Sequence, residues 1–139
     1  MSRAAQCACG KLSATVEGEP TVVLACHCTA CQRRTGAPFG VGAYFPKDRV
    51  TITGAFKEFA RPGGDGRMMH NRFCPECGSN LFWESELLPG AWGIAVGAFA
   101  DPGFMPPARS VWEEKKHAWV QLGPEIPGHV QGRASKASR

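Results

Sequence analysis

The chain has 139 residues, 43% of them hydrophobic, which is enough for one core and not for two. Seventeen glycines and eleven prolines imply many turns and short elements, favouring an all-β fold over a helical one. The formal charge is +4, but Arg133, Lys136 and Arg139 near the C-terminus supply three of the cations, so the body is near neutral and gives a nucleic-acid partner little support.

Met1–Gln6 reads as a short leader before Cys7-Ala8-Cys9-Gly10. Leu12, Ala14 and Val16 then alternate with polar residues, the period of a half-buried strand. Gly18-Glu19-Pro20 breaks that strand, and the β-branched run Thr21–Ala25 carries the chain into Cys26-His27-Cys28-Thr29-Ala30-Cys31. Gln32–Pro38 reads as a polar loop, after which Val41, Ala43 and Phe45 resume the alternation. Val50 and Ile52 mark another strand, Phe56 and Phe59 a weaker one, and Pro62–Gly66 has the turn chemistry of a hairpin tip. Met68–Phe73 leads into Cys74-Pro75-Glu76-Cys77-Gly78. Leu81–Trp83 and Ala91–Phe99 are the last clear strands, with Gly93 and Gly97 suggesting a bend or a close backbone approach in the second. Val111-Trp112 adds a short edge strand, and Lys115–Trp119 closes the folded part. No segment shows helical periodicity. The expected division is a domain over residues 1–122 and a flexible basic tail over 123–139. No run has signal-peptide or membrane-spanning length, so a cytoplasmic protein with no membrane partner is expected.

Seven is an odd number of cysteines, and Cys-x-Cys neighbours do not readily bridge each other, so a disulfide framework suits this pattern poorly. Grouped thiols suit a metal. The outer pairs, Cys7 with Cys9 and Cys74 with Cys77, supply four thiolates, the number that closes a tetrahedral structural zinc site. Gly78 allows the positive φ that turns backbone N–H groups toward a thiolate. Cys26, Cys28 and Cys31 supply three ligands and leave a position open, as in a reactive zinc site, and such a zinc is readily lost, so partial occupancy is expected. The other reading is a second structural zinc completed by His70 or His117. His27 is not a ready ligand, because in an extended segment its side chain projects away from the side shared by Cys26 and Cys28. With three thiolates the zinc is a weak Lewis acid that can still hold an incoming thiolate.

Arg33 and Arg34 follow the triplet closely. They either pair with a substrate carboxylate and offset the anionic site, or are solvated loop cations. His117, Trp119, Phe82 and Trp83 are candidates for a pocket lining, or for core.

Taken together, Cys7-x-Cys9-Gly10, Cys26-His27-Cys28-x-x-Cys31 with Arg33 and Gly36, Arg72-Phe73-Cys74-x-x-Cys77-Gly78 and the His117-x-Trp119 ending resemble the glutathione-dependent formaldehyde-activating enzyme family, which includes centromere protein V. The resemblance implies a single-domain β-tent of small antiparallel sheets, stapled by a structural zinc at Cys7, Cys9, Cys74 and Cys77. It implies a second zinc at Cys26, Cys28 and Cys31. The activity it implies is that of a carbon–sulfur lyase, or synthase in the other direction, joining glutathione and formaldehyde into S-hydroxymethylglutathione, or acting on a related thiol and aldehyde. Cys26, Cys28 and Cys31 would then hold the catalytic metal, with Arg33 or Arg34 as anion partner. Oligomeric state is left open, a homodimer being one option. Thiolates add to formaldehyde unaided, so the alternatives are a non-catalytic carrier of the glutathione adduct and a zinc-stapled module that binds protein or nucleic acid.

Overall fold

In the computed structural model, which describes residues 1–139, ten strands and one short helix follow one another along the chain. They are β1 (Ser2–Gln6), β2 (Ser13–Glu17), β3 (Val22–Cys26), α1 (Thr29–Thr35), β4 (Gly40–Pro46), β5 (Val50–Thr53), β6 (Lys57–Pro62), β7 (Met68–Phe73), β8 (Asn80–Ser85), β9 (Ala91–Ala95) and β10 (Arg109–Val111). The all-β expectation holds: β10 pairs with β3 in parallel, and the β1–β2, β2–β5, β6–β7, β7–β8 and β8–β9 pairings are antiparallel. No helix is long and apolar enough to cross a membrane. The chain divides into two compact units, one of Met1–Thr21 and Ala43–Phe104, the other of Val22–Gly42 and Met105–Arg139.

In the first unit β1, β2 and β5 form a three-stranded antiparallel sheet. The supposed leader is thus a strand, registered Gln6 to Ser13 and Ser2 to Glu17, and its Ala5 is fully buried. Hairpins link β6 to β7 and β7 to β8, and β8 pairs with β9. Leu12, Val16 and Phe45 are buried here at alternate positions that the sequence pattern marks, and Leu81, Phe82 and Ile94 are buried with them. Gly93 stands opposite Trp83, whose indole covers it so closely that a Cβ would collide, so close approach is the reason for that glycine. Ala91–Phe99 is not one strand: after Ala95 it tightens into a 3-10 turn over Val96–Phe99. Arg72 of β7 lies 4.8 Å from the Trp92 ring centre and 5.6 Å from that of Phe82, with Glu58 at 2.9 Å and Glu84 at 3.6 Å as counter-charges.

In the second unit β10 runs parallel to β3, and Cys28 and Gly36 cap α1 at its two ends. The Cys28 sulfur accepts from the N–H of Cys31 at 3.3 Å, and Gly36, at φ 69°, returns its N–H to the carbonyl of Gln32. Arg33 and Arg34 fall in the last turn, the favourable end for cations. The expected loop after Cys31 is therefore the body of a helix, missed because none of its seven residues is buried and no apolar period exists.

Residues 123–139, expected as a flexible tail, fold back within this unit. Ile126 and His129 are buried, Ser110 exchanges backbone hydrogen bonds with Pro127 and His129, and Arg109 donates to the ring of His129 at 3.0 Å. Glu113 anchors the end: Ser138 donates to it, Arg139 Nε approaches at 3.1 Å and Lys116 at 4.0 Å. Burial would raise this carboxyl, but hydrogen bonds from Ser110, Ser138 and Arg139 and the charge of Lys116 outweigh it and hold the group at about 2. A lowered carboxyl stabilises the fold above its unfolded value near 4.5, and that contribution disappears as pH falls toward 2. With the side chain 3% exposed, the shift corresponds to about 3 kcal/mol. Urea titrations at pH 7 and pH 3 are expected to show a smaller acid loss in Glu113→Gln than in the unmodified chain. Equal losses would mean that the carboxylate does not hold the tail.

Candidate metal centres

All seven cysteines are free of disulfides, and they gather in two groups. Cys7, Cys9, Cys74 and Cys77 bring four sulfurs within 4.8 Å of one another in the first unit. Each pair is the loop of a hairpin. Cys7 and Cys9 lie between β1 and β2, where Cys7 N–H donates to Leu12 O, and Cys74 and Cys77 lie between β7 and β8, where Gly78 N–H donates to Cys74 O. The Cys7–Cys9 and Cys9–Cys74 sulfur separations are 3.6 and 3.7 Å, close to the edge of about 3.8 Å of a tetrahedron with metal–sulfur bonds near 2.3 Å. Backbone N–H groups already point at two of the sulfurs, from Leu12 to Cys7 at 3.3 Å and from Glu76 to Cys74 at 3.4 Å.

The thiols compete for charge. The hydroxyl and backbone of Ser79, helped by the backbone of Cys9, hold Cys77 down at about 5. The Lys11 backbone pulls Cys9 the same way, yet burial and the other three sulfurs push it up to about 11. A set that cannot ionise together without a cation at its centre fits a soft divalent metal.

Cys26, Cys28 and Cys31 form the second group, in the second unit, their three half-buried sulfurs also within 4.8 Å of one another. The end of β3, the N-cap of α1 and its first turn supply one each. Hydrogen bonds with Cys28 and Cys31, then burial, push the Cys26 thiol up. Three sulfurs gathered this closely, one of them supported by a backbone N–H, also fit a metal, and no histidine or carboxylate joins them at that distance. Of the two histidines considered as a fourth ligand, His70 belongs to the first unit and is bonded to Glu58 at 3.1 Å, while His117 is bonded to Gln32 at 3.2 Å. His27 turns away from the sulfurs as expected: it is fully buried, and its Nε2 lies 2.9 Å from the Ser110 hydroxyl.

A pocket of about 400 Å³ lies along α1, lined by Thr29, Gln32, Arg33, Gly36, Ala37, Pro38 and His117. Thr29, Gln32, Arg33 and Gly36 make one helical stripe, so the helix that holds two of the sulfurs also supplies the pocket wall. The two arginines separate here. Arg33 is exposed on the pocket and makes no ion pair, whereas Arg34 lies over Gly40, its Nη2 2.5 Å from where a Cβ would stand. Phe82 is core, as its alternative reading had it. Trp119 is exposed, edge-on to His117 at 6.1 Å. Gln32, like Thr29, Ala37 and Pro38, is a wall residue that no sequence motif marked.

The model of a family described as glutathione-dependent formaldehyde-activating enzyme matches residues 2–117. Among solved structures, a crystal structure of a Rhodobacter sphaeroides protein is similar over 74% of this chain and 91% of that one, with a TM-score of 0.54 and 23% identity. At that identity the likeness is one of fold.

Proposed function

Because the chain belongs to the glutathione-dependent formaldehyde-activating enzyme family, we propose that it is a cytoplasmic zinc-dependent carbon–sulfur lyase acting on the adduct of a thiol, such as glutathione, with an aldehyde, such as formaldehyde. The observation that carries this reading is the joining, on one helix, of a three-thiol cluster to a pocket walled by an unpaired cation. Cys26, Cys28 and Cys31 would hold a zinc ion, and the chemistry it would supply is to favour the ionised form of a thiol near the aldehyde. Arg33 faces the pocket and pairs with a carboxylate of the thiol partner, which fixes the direction from which its sulfur enters. Arg34 stays with its helix and the backbone near Gly40. Cys7, Cys9, Cys74 and Cys77 would hold a second zinc, a structural one.

The test is exchange NMR on formaldehyde and glutathione with the zinc-loaded chain and its Cys31→Ser variant. Faster interconversion of free and bound aldehyde is expected with the unmodified chain. In the variant it vanishes, one zinc fewer is retained, and the melting temperature stays close to that of the unmodified chain. Saturable glutathione binding without any rate effect would replace the lyase by a carrier.

A further inference from the structure

The orientation of the Gln32 amide is fixed by its surroundings. Its nitrogen donates to the carbonyl of His27 at 2.8 Å and to that of Lys115 at 3.1 Å. Both acceptors are backbone oxygens, so a flipped amide would set oxygen against oxygen at each. Oε1 of Gln32 therefore faces Nε2 of His117 at 3.2 Å, and an oxygen that can only accept requires the proton on Nε2. In the neutral ring the second nitrogen, Nδ1, is then an acceptor, and it has no partner within the protein. His117 is exposed on the pocket wall. Gln32 follows Cys31 directly and is bonded to the carbonyl of the residue between Cys26 and Cys28, so the part that orients the ring is built into the sulfur cluster.

We propose that His117 is the acid–base residue of the reaction and carries the proton between the sulfur and oxygen ends of the adduct, with Gln32 as its positioning residue. This rests on the lyase reading of the site. In the direction of synthesis Nδ1 accepts the S–H proton. A sulfur electron pair forms the bond to the aldehyde carbon, and the C=O π pair moves to oxygen. The proton on Nδ1 then passes to that oxygen, which gives the hydroxyalkyl thioether and restores the neutral ring. Nothing else is consumed, and cleavage runs through the same groups in reverse.

The experiment compares the zinc-loaded unmodified chain with His117→Gln and Gln32→Met, using exchange NMR for the rate and long-range proton–nitrogen correlations for the histidine rings. His117→Gln is expected to lose about 100-fold of the acceleration, to keep the full zinc content, and to recover in part when imidazole is added. The ring spectrum of the unmodified chain shows His117 with its proton on Nε2, and Gln32→Met gives a mixture of both tautomers. A His117→Gln rate equal to that of the unmodified chain, or a ring protonated on Nδ1, overturns the proposal and leaves the lyase reading standing. Loss of a zinc in His117→Gln also overturns it, making the histidine a ligand. An unmodified chain with no acceleration removes the reaction and this role with it, a failure visible before any substitution is made.

Discussion

Cys74→Ser is expected to leave a chain that does not complete its first unit. Cys74 is fully buried in the loop between β7 and β8, its N–H donates to Ser79 O, and its sulfur lies 3.7 Å from that of Cys9. A serine there keeps the backbone bonds but removes one of four thiolates and leaves a hydroxyl that is a poor ligand for a soft ion. Binding at a structural four-thiolate zinc site is worth about 10–16 kcal/mol at neutral pH, as much as the whole stability of a domain, about 5–15 kcal/mol. The variant should therefore show no cooperative melting transition by circular dichroism, even with excess zinc. It should differ in this from Cys31→Ser, which touches only the local triplet. A Cys74→Ser chain that melts like the unmodified one would show that the outer pairs do not hold the metal that staples the fold.

Gly54→Ala should be the most damaging change outside the cysteines. Gly54, just after β5, has φ 108°, which an L side chain rarely adopts. A Cβ there would also run into the Lys11 carbonyl oxygen, with Lys11 C at 3.0 Å and Leu12 Cα at 3.1 Å. These are backbone atoms, so no rotamer relieves the clash. Leu12 in turn donates its N–H to the Cys7 sulfur at 3.3 Å and accepts from Cys7 N–H at 2.9 Å. Pushing Lys11 and Leu12 aside therefore displaces Cys7, one of the four gathered sulfurs. The control is Gly66→Ala, which has φ 85° and open space around the new methyl. Backbone strain alone costs about 1–2 kcal/mol there, and Gly54→Ala should cost about 3 kcal/mol or more by urea titration and weaken zinc retention. Equal losses in the two variants would mean that the contact with Lys11 and Leu12 is not tight.

The cysteine groups were legible in the sequence because thiols that share a site betray themselves by number and spacing, and both clusters assemble as the grouping suggested. Most strands were legible for a similar reason, since one buried face writes a period of two. β1 was not. Ser-Arg-Ala-Ala-Gln buries only one residue, and its strand character comes from pairing with β2. Helix α1 announced itself only at its ends, in Gly36 and in the two arginines before it, because its middle faces no core. The segment beyond residue 122 read as a flexible basic tail on composition. Its order comes from polar pairings such as Arg139 with Glu113, 26 residues apart in sequence. Gln32 could not have been found from its neighbours, since one of its carbonyl partners and its histidine lie more than 80 residues away.

The two thiol clusters differ in how much of the chain each must gather. The closed set joins two hairpin loops through sulfurs 65 residues apart, and drawing together chain ends at that separation costs about 4 kcal/mol in an unfolded chain. A metal bound there would tie the two loops together, so its loss would be coupled to their separation. The triplet lies within one six-residue segment and needs no distant partner to assemble. On the proposed reading the two sites would therefore differ in metal exchange, and the faster exchange would belong to the triplet, whose ion could be supplied or withdrawn without parting the two hairpin loops that the closed set joins.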